Sequence, residues 1–330
     1  MDIEKWSLRI GTAALVFAVV VRLGSTGVFG RATRLLQSPE AACVMLFLET
    51  GRFVRRITPK PPELPEPEPQ ETQPAEMMDE PVLPVFAAED ASLVKIKNVC
   101  GLKTDVPTML ETPLSWQLKS AEPTVLILHS HGSESYENKE QYKESGYYRT
   151  LDTRYNMVSV GDRLTELLEA GGISVLHDTT LHDYPSYNDA YGNSRNSMKE
   201  YLKQYPSIQL VLDLHRDAAR DSEGNQVGLT TTVNGKKVAK LMMVVGTNVR
   251  LKHPNWPENM SLAVKLHALL EKKYPGLCRS ISFRNQRFNQ DLSPGALLIE
   301  VGAAGNDRQE ALASAELLAQ AIIELSQGTG

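Results

Sequence analysis

A proline- and glutamate-rich stretch, Pro59 to Pro84, divides the chain into unlike parts. It carries nine of the 19 prolines, seven carboxylates and a single lysine. Proline cannot donate a backbone hydrogen bond and favours extended polyproline II, and like charges repel one another. We therefore predict a flexible spacer over residues 58–90. Its 26 residues from Pro59 to Pro84 would reach roughly 80 Å at about 3.1 Å per residue.

An uncharged apolar run, Ile10 to Val21, lies in the part before the spacer, with Lys5 and Arg9 ahead of it. The run is shorter than the roughly 20 residues of a full membrane span, but it lengthens if Arg22 reaches toward the headgroups. We predict an uncleaved anchor whose basic start stays in the cytoplasm and whose remaining chain lies outside it. A cleaved signal peptide and a buried core helix are the alternatives.

A second apolar run, Ala41 to Leu48, is too short to span a membrane. It favours an interfacial or juxtamembrane helix. Residues 1–57 are therefore predicted to form a membrane anchor with a juxtamembrane segment, and residues 91–330 the catalytic domain.

Charge and cysteine content limit the chemistry of the chain. The net charge is −5 and the pI is about 5.9, so the basic excess of a nucleic-acid-binding protein is missing. The three cysteines, Cys43, Cys100 and Cys278, are far apart, which argues against a thiolate zinc site or a disulfide framework. Any metal must then be held by imidazole and carboxylate groups.

Short β-rich runs alternate with amphipathic helices from Thr124 onward. This alternation predicts an α/β domain with a mostly parallel or mixed sheet flanked by helices. Residues 91–118 are expected to be a transitional segment. The predicted strands are Thr124–His131, Ile173–Asp178, Ile208–His215, Leu241–Gly246 and Ala296–Val301, the helices Val158–Gly172, Asn188–Tyr205, Glu258–Tyr274 and Asp307–Ser326, and the hairpin turn Val233–Lys236.

Polar side chains follow three of these strands, where α/β sheets collect their chemistry. His131, Glu134 and His215 offer the nitrogen and oxygen donors of a catalytic zinc site. Glu300 lies within the apolar run ALLIEV, where a buried carboxyl is costly unless it is paired or functional. We predict Glu300 to be the general base that accepts a proton from the attacking water. His129 is the alternative metal ligand, because on an extended strand it would point to the same side as His131.

Four further residues are candidates for supporting roles. His177 and His182 lie in the segment HDTTLHDY at the end of another strand, and each is a candidate to bind the metal, to support a metal ligand or to contact the substrate. Arg195 and Arg216 are expected to bind a substrate carboxylate or to orient the ligands. A solvated or salt-bridged role fits each of the two arginines equally well.

Four motifs, in the order ILHSHGSESY, SVGDRLTELLEAGGISVLHDTTLHDYPSYNDAYGNSR, VLDLHRDA and LLIEVGAAGN, resemble the stage II sporulation protein P family of zinc N-acetylmuramoyl-L-alanine amidases. The resemblance covers about residues 92–327. It implies an amidase_3-like fold related to zinc carboxypeptidases, a Zn²⁺ cofactor and peptidoglycan as the substrate. The HSH segment, His215 and Glu300 fall on the functional motifs of the family. Gly132 departs from the threonine or asparagine expected in the HSH segment.

The resemblance also implies a cellular setting. Members cleave the amide between the muramic acid lactyl group and L-alanine, in remodelling of the septum and in engulfment during sporulation. They work with the stage II sporulation proteins D and M at the cell membrane, so the catalytic domain is expected on the extracytoplasmic side. A zinc carboxypeptidase or deacylase and a non-catalytic peptidoglycan-binding scaffold are the rival functions. The absence of a Gly-rich phosphate loop after a strand and of a GxSxG elbow argues against nucleotide binding and a serine hydrolase.

Overall fold

The computed structural model describes residues 86–114, 116–145 and 147–327. The predicted anchor, juxtamembrane helix and nearly all of the predicted spacer lie outside these residues. Among the helices that are described, none is long and apolar enough to cross a membrane.

A seven-stranded sheet is the centre of the fold, with the strand order β1-β8-β7-β9-β4-β2-β3. Five of its six strand pairs are parallel, and only β7 and β9 run antiparallel. The predicted mixed, mostly parallel sheet is therefore confirmed. Its strands are β1 (Ile96–Asn98), β2 (Val125–Leu128), β3 (Val175–His177), β4 (Leu210–Asp217), β7 (Leu241–Val245), β8 (Ile281–Phe283) and β9 (Ala296–Ala303).

Helices cover both faces of the sheet. The described residues contain five α-helices, which are α1 (Val106–Glu111), α2 (Met157–Ala170), α3 (Ala190–Gln204), α4 (Trp256–Lys273) and α5 (Arg308–Gln327). Helices α2, α4 and α5 pack on the side of the sheet that presents Ile127, Leu212 and Ile299, here called the core face. Helix α3 packs through Met198 on the opposite side, here called the site face.

Local sequence signals explain several boundaries. Helix α2 begins where the Asn156 side chain accepts a hydrogen bond from the Val158 amide, and it ends before Gly172, whose φ is +80°. The predicted hairpin joins β5 (Thr230–Val233) to β6 (Lys236–Ala239) in antiparallel register. Its turn uses positive φ angles at Asn234 and Gly235, as a two-residue hairpin turn requires.

Three short elements have no counterpart among the sequence predictions. Strand β1 and helix α1 lie in the segment expected to be transitional, and β8 lies in a stretch left unassigned. Each has six residues or fewer, too few for a hydrophobic period to show. Strand β8 lies between β7 and β1, so β1 forms the edge of the sheet.

Candidate functional site

Strands β4 and β9 bring the central site residues together. They pair in parallel, and His215 is the direct register partner of Glu300. Paired residues of neighbouring strands point to the same face, so both side chains lie on the site face. Asp213, two residues earlier on β4, shares that face, and its carboxylate Oδ1 lies 2.9 Å from Nε2 of His215.

His131 reaches the same neighbourhood because β2 is shorter than predicted. The strand ends at Leu128, and a turn spans residues 130–133. The His131 ring stacks on Tyr187 at a centroid distance of 4.3 Å and lies 5.4 Å from the ring of His215. Burial lowers the pKa of His131.

The expectation that His129 and His131 point to the same side is wrong. His129 continues the alternation of β2 and faces the core side, where its Nε2 lies 2.9 Å from Nε2 of His177. Its Nδ1 lies 3.1 Å from the Leu214 carbonyl oxygen. The turn after residue 129 reverses the side on which the next histidine lies. Which of the two binds a metal stays a prediction.

Glu134 is held between basic groups. Its Oε2 lies 3.6 Å from Nδ1 of His215, and its Oε1 accepts a hydrogen bond from Nη1 of Arg216 at 3.2 Å. Arg149 lies 3.6 Å from the same oxygen. Burial would raise the pKa of Glu134, but Arg216 and His215 lower it to about 2. The carboxylate is therefore ionised beside the two histidines at neutral pH.

Glu300 contrasts with Glu134, because its pKa is raised rather than lowered. Its Oε2 is buried and has no hydrogen-bond partner in the part of the chain that the structure describes. Burial raises the pKa of Glu300 to about 8, with Glu134 adding to the effect and His215 opposing it. An unpartnered carboxyl with a pKa near neutrality can both accept and donate a proton in the physiological range.

Asp213 was missed by sequence reasoning, although it carries the same signal as Glu300, a carboxyl within an apolar strand. It accepts hydrogen bonds from the Ser130 amide at 2.8 Å and the Ser130 hydroxyl at 2.6 Å. Burial would raise its pKa, but His215 and Ser130 lower it. Burial lowers the pKa of His215, but Asp213 and Glu134 raise it by more. The pKa of His215 therefore lies well above its ordinary value. Asp213 therefore contacts both Ser130, in the segment after β2, and His215 on β4.

Two tyrosines were also missed. Tyr187 stacks on His131 and carries the Arg149 guanidinium over its ring at 4.1 Å. Tyr191 stacks on His215 with ring centroids 6.3 Å apart. Tyr187 lies in the short 3₁₀ turn just before α3 and Tyr191 in the first turn of α3. No spacing in the sequence marks them, because their contacts depend on how α3 packs on the sheet.

The remaining predicted residues are placed as follows. His177 contacts Asp162 and His129 on the core side, and His182 lies 3.0 Å from Oδ2 of Asp178. Arg195 donates two hydrogen bonds to Asp291, at 2.8 and 2.7 Å. Arg216, besides Glu134, donates to the carbonyl oxygens of Ser135 and Tyr148. Each of the two arginines is thus already paired with protein groups.

The donor set His131, Glu134 and His215 fits zinc in its chemistry. Two of its buried nitrogens, Nδ1 of His131 and Nε2 of His215, make no hydrogen bond to any described residue. The Asp213 contact at 2.9 Å lies outside hydrogen-bond geometry. Across residues 86–327, with the gaps given above, no group of three or more His, Cys, Asp or Glu side chains is arranged so that it could hold a metal ion. The agreement of these three residues with a zinc site therefore rests on the types of their donor atoms and on the two nitrogens that make no hydrogen bond to a described residue.

Comparison with known proteins assigns the chain to a family. The family model of stage II sporulation protein P matches residues 60–323. Stage II sporulation protein P of Bacillus subtilis (strain 168) is 32% identical over 220 residues, which are 63% of this chain and 52% of that protein. This chain spans about half the length of that curated relative.

Solved structures give weaker matches. The N-acetylmuramoyl-L-alanine amidase AmiC2 of Nostoc punctiforme matches with a TM-score of 0.38 and 15% identity, over 63% of this chain and 96% of that one. The CwlD amidase from Clostridioides difficile, solved in complex with the GerS lipoprotein, matches with a TM-score of 0.38 and 14% identity, over 62% and 95%. The family match covers most of the sequence, and the chain belongs to the stage II sporulation protein P family.

Proposed function

We propose that this chain is a zinc-dependent N-acetylmuramoyl-L-alanine amidase that cleaves the amide between the lactyl group of muramic acid and L-alanine. The observation that carries the proposal is the pairing of Glu300 with His215 across β4 and β9. This pairing brings Glu300, whose buried Oε2 has no hydrogen-bond partner among the described residues, next to a set of imidazole and carboxylate donors. Membership of the family agrees with this chemistry.

His131, Glu134 and His215 would hold the zinc ion. When bound, zinc polarises the scissile carbonyl and lowers the pKa of water. Arg216 keeps the Glu134 carboxylate ionised and fixed in place through two hydrogen bonds, one from its guanidinium and one from its backbone amide. Asp213 orients the chain around His215 by binding both the amide and the hydroxyl of Ser130.

Glu300 would move the proton in this reaction. It accepts a proton from the attacking water and delivers it to the leaving amine of L-alanine. A pKa of about 8 lies close to the pH at which both transfers must occur, which is the condition for efficient general acid–base catalysis.

We extend the proposal to the setting implied by the family. The enzyme would act on septal peptidoglycan during engulfment, with the stage II sporulation proteins D and M as partners. Its first segment would anchor it in the cell membrane as a single-pass protein, with the catalytic domain on the extracytoplasmic side. Family membership and the apolar run Ile10 to Val21 support these statements.

The test is hydrolysis of purified sacculi by the full chain and by Glu300→Gln, with new L-alanine amino termini measured by mass spectrometry. We expect the wild type to release them and the variant to be about 10²–10⁴-fold slower, as for loss of a general base. Circular dichroism checks that the variant is folded. Full activity of Glu300→Gln would remove Glu300 from the mechanism. Release of a different amine by the wild type would point to a carboxypeptidase or deacylase.

A further inference from the structure

The site face continues beyond Glu300 toward the edge of the sheet. Met242 on β7 is the register partner of Glu300. Farther along, Val244 pairs with Ser282 on β8, and Ser282 pairs with Lys97 on β1. Because paired residues share a face, Met242, Ser282 and Lys97 all lie on the side that carries Glu300 and His215.

A basic cleft of about 410 Å³ lies over this part of the face. We call it the edge cleft. Met242 and Asp217, which adjoin the candidate site, form part of its lining. Its cationic lining residues are Lys95, Lys97, Lys240, Arg279 and Arg284. Since the whole chain has a net charge of −5, the edge cleft is a local reversal of the overall charge.

Among the described residues, most of these cations have no carboxylate partner. Asp217 is the one carboxylate in the lining, and it is bound to Arg279 at 2.6 Å. Arg284 donates to the Ser282 hydroxyl rather than to a carboxylate. Lys95 and Lys97 are exposed, and within the described ranges neither forms an ion pair. A concave group of uncompensated cations attracts an anionic ligand.

The distance from the candidate site suits a short peptide. Neighbouring strands are about 4.8 Å apart, so three spacings, from β9 through β7 and β8 to β1, amount to roughly 14 Å. An extended peptide advances about 3.4 Å per residue. About four residues would therefore join an amide at Glu300 to Lys97 on β1.

We propose that the edge cleft binds the carboxylates of the stem peptide whose L-alanine amide is cleaved. It would act as a specificity site that selects acidic stem peptides over amidated ones. This inference rests on the proposed amidase function, because it takes Glu300 as the position of the scissile amide.

The test is binding of the free tripeptide L-Ala-γ-D-Glu-meso-diaminopimelate to the full chain by calorimetry, which needs no catalysis. The Lys95→Glu/Lys97→Glu variant reverses two exposed charges of the edge cleft. Lys119→Glu/Lys199→Glu makes the same change in net charge at two exposed lysines outside the cleft. We expect the first variant to bind about tenfold more weakly, equivalent to about 1.4 kcal/mol, and the control to stay within twofold of wild type. The same tripeptide with its carboxylates amidated is expected to bind weakly and equally to all three proteins.

Three outcomes would overturn the inference: no measurable binding to wild type, equal binding to both variants, or equal affinity for the acidic and the amidated tripeptide. Thermal melts of both variants confirm folding. The two proposals fail separately. Wild type that binds the acidic tripeptide but hydrolyses no sacculi would refute the amidase function, whereas hydrolysis without charge-dependent binding would refute the edge cleft alone.

Discussion

His129 and His131 are two residues apart, yet they lie in contrasting surroundings on opposite faces of the sheet. His129, on the core face, has a partner at each ring nitrogen, the Leu214 carbonyl oxygen and the ring of His177. His131, on the site face, lies between aromatic rings, and its buried Nδ1 makes no hydrogen bond to the described residues. The difference separates a histidine that completes packing from one that is available to a ligand.

Carboxyl groups show the same contrast. Asp178 is buried but accepts hydrogen bonds from the Thr180 amide and makes a 3.0 Å contact with His182. Glu300 is partly buried, and its buried Oε2 has no hydrogen-bond partner among the described residues. Burial raises the pKa of both groups, yet hydrogen bonds lower that of Asp178 to about 2, while that of Glu300 rises to about 8. Partners, rather than burial alone, distinguish a structural carboxyl from a candidate catalytic one.

The variant Gly161→Ala tests how tightly His129 and His177 are packed on the core face. A Cβ atom at Gly161 in α2 would clash with Nε2 of His177 and would lie 2.7 Å from Nε2 of His129. Overpacking of this kind costs about 1–3 kcal/mol of unfolding free energy. We expect denaturant unfolding to show that loss, while the activity per folded molecule stays within about twofold of wild type.

Gly192→Ala in α3 is the matched control. A Cβ atom there meets no atom within 4 Å, and alanine suits a helix better than glycine, so the variant should be more stable by about 0.4–1 kcal/mol. Equal stability of Gly161→Ala and wild type would show that the His129–His177 contact is loose. A collapse of activity in folded Gly161→Ala would place that pair in the chemistry.

A smaller effect is expected at Asp178, which sharpens the contrast between carboxyl groups. The folded-state pKa of about 2 lies below the unfolded value of about 3.9. Ionised Asp178 therefore adds stability above about pH 4, and this stability is lost as the pH falls toward 2. Between pH 5 and pH 2.5, the melting temperature of wild type should fall by roughly 3–7 °C more than that of Asp178→Asn. Parallel curves for the two proteins would mean that the hydrogen bonds to Asp178 contribute nothing.

The sequence predicted the architecture better than the geometry of the site. Within the part of the chain that the structure describes, period-2 and period-3.6 patterns identified the long helices and the central strands, because burial imposes those patterns. They did not show that β2 stops at Leu128, since HSHGS contains no proline and reads as a continued strand. The partners of Asp213, Tyr187 and Tyr191 depend on strand register and on helix packing. A single sequence does not encode either of these in a local pattern.

Zinc content of the purified full chain is the most direct test of the claim that the site face carries the chemistry. Wild type, His131→Ala and His129→Asn are compared by metal analysis, with circular dichroism as the check on folding. We predict about one zinc per chain in wild type and in His129→Asn, and almost none in His131→Ala. The reason is that His131, unlike His129, lies on the site face together with His215 and Glu300. Zinc retained by His131→Ala and lost by His129→Asn would contradict the account.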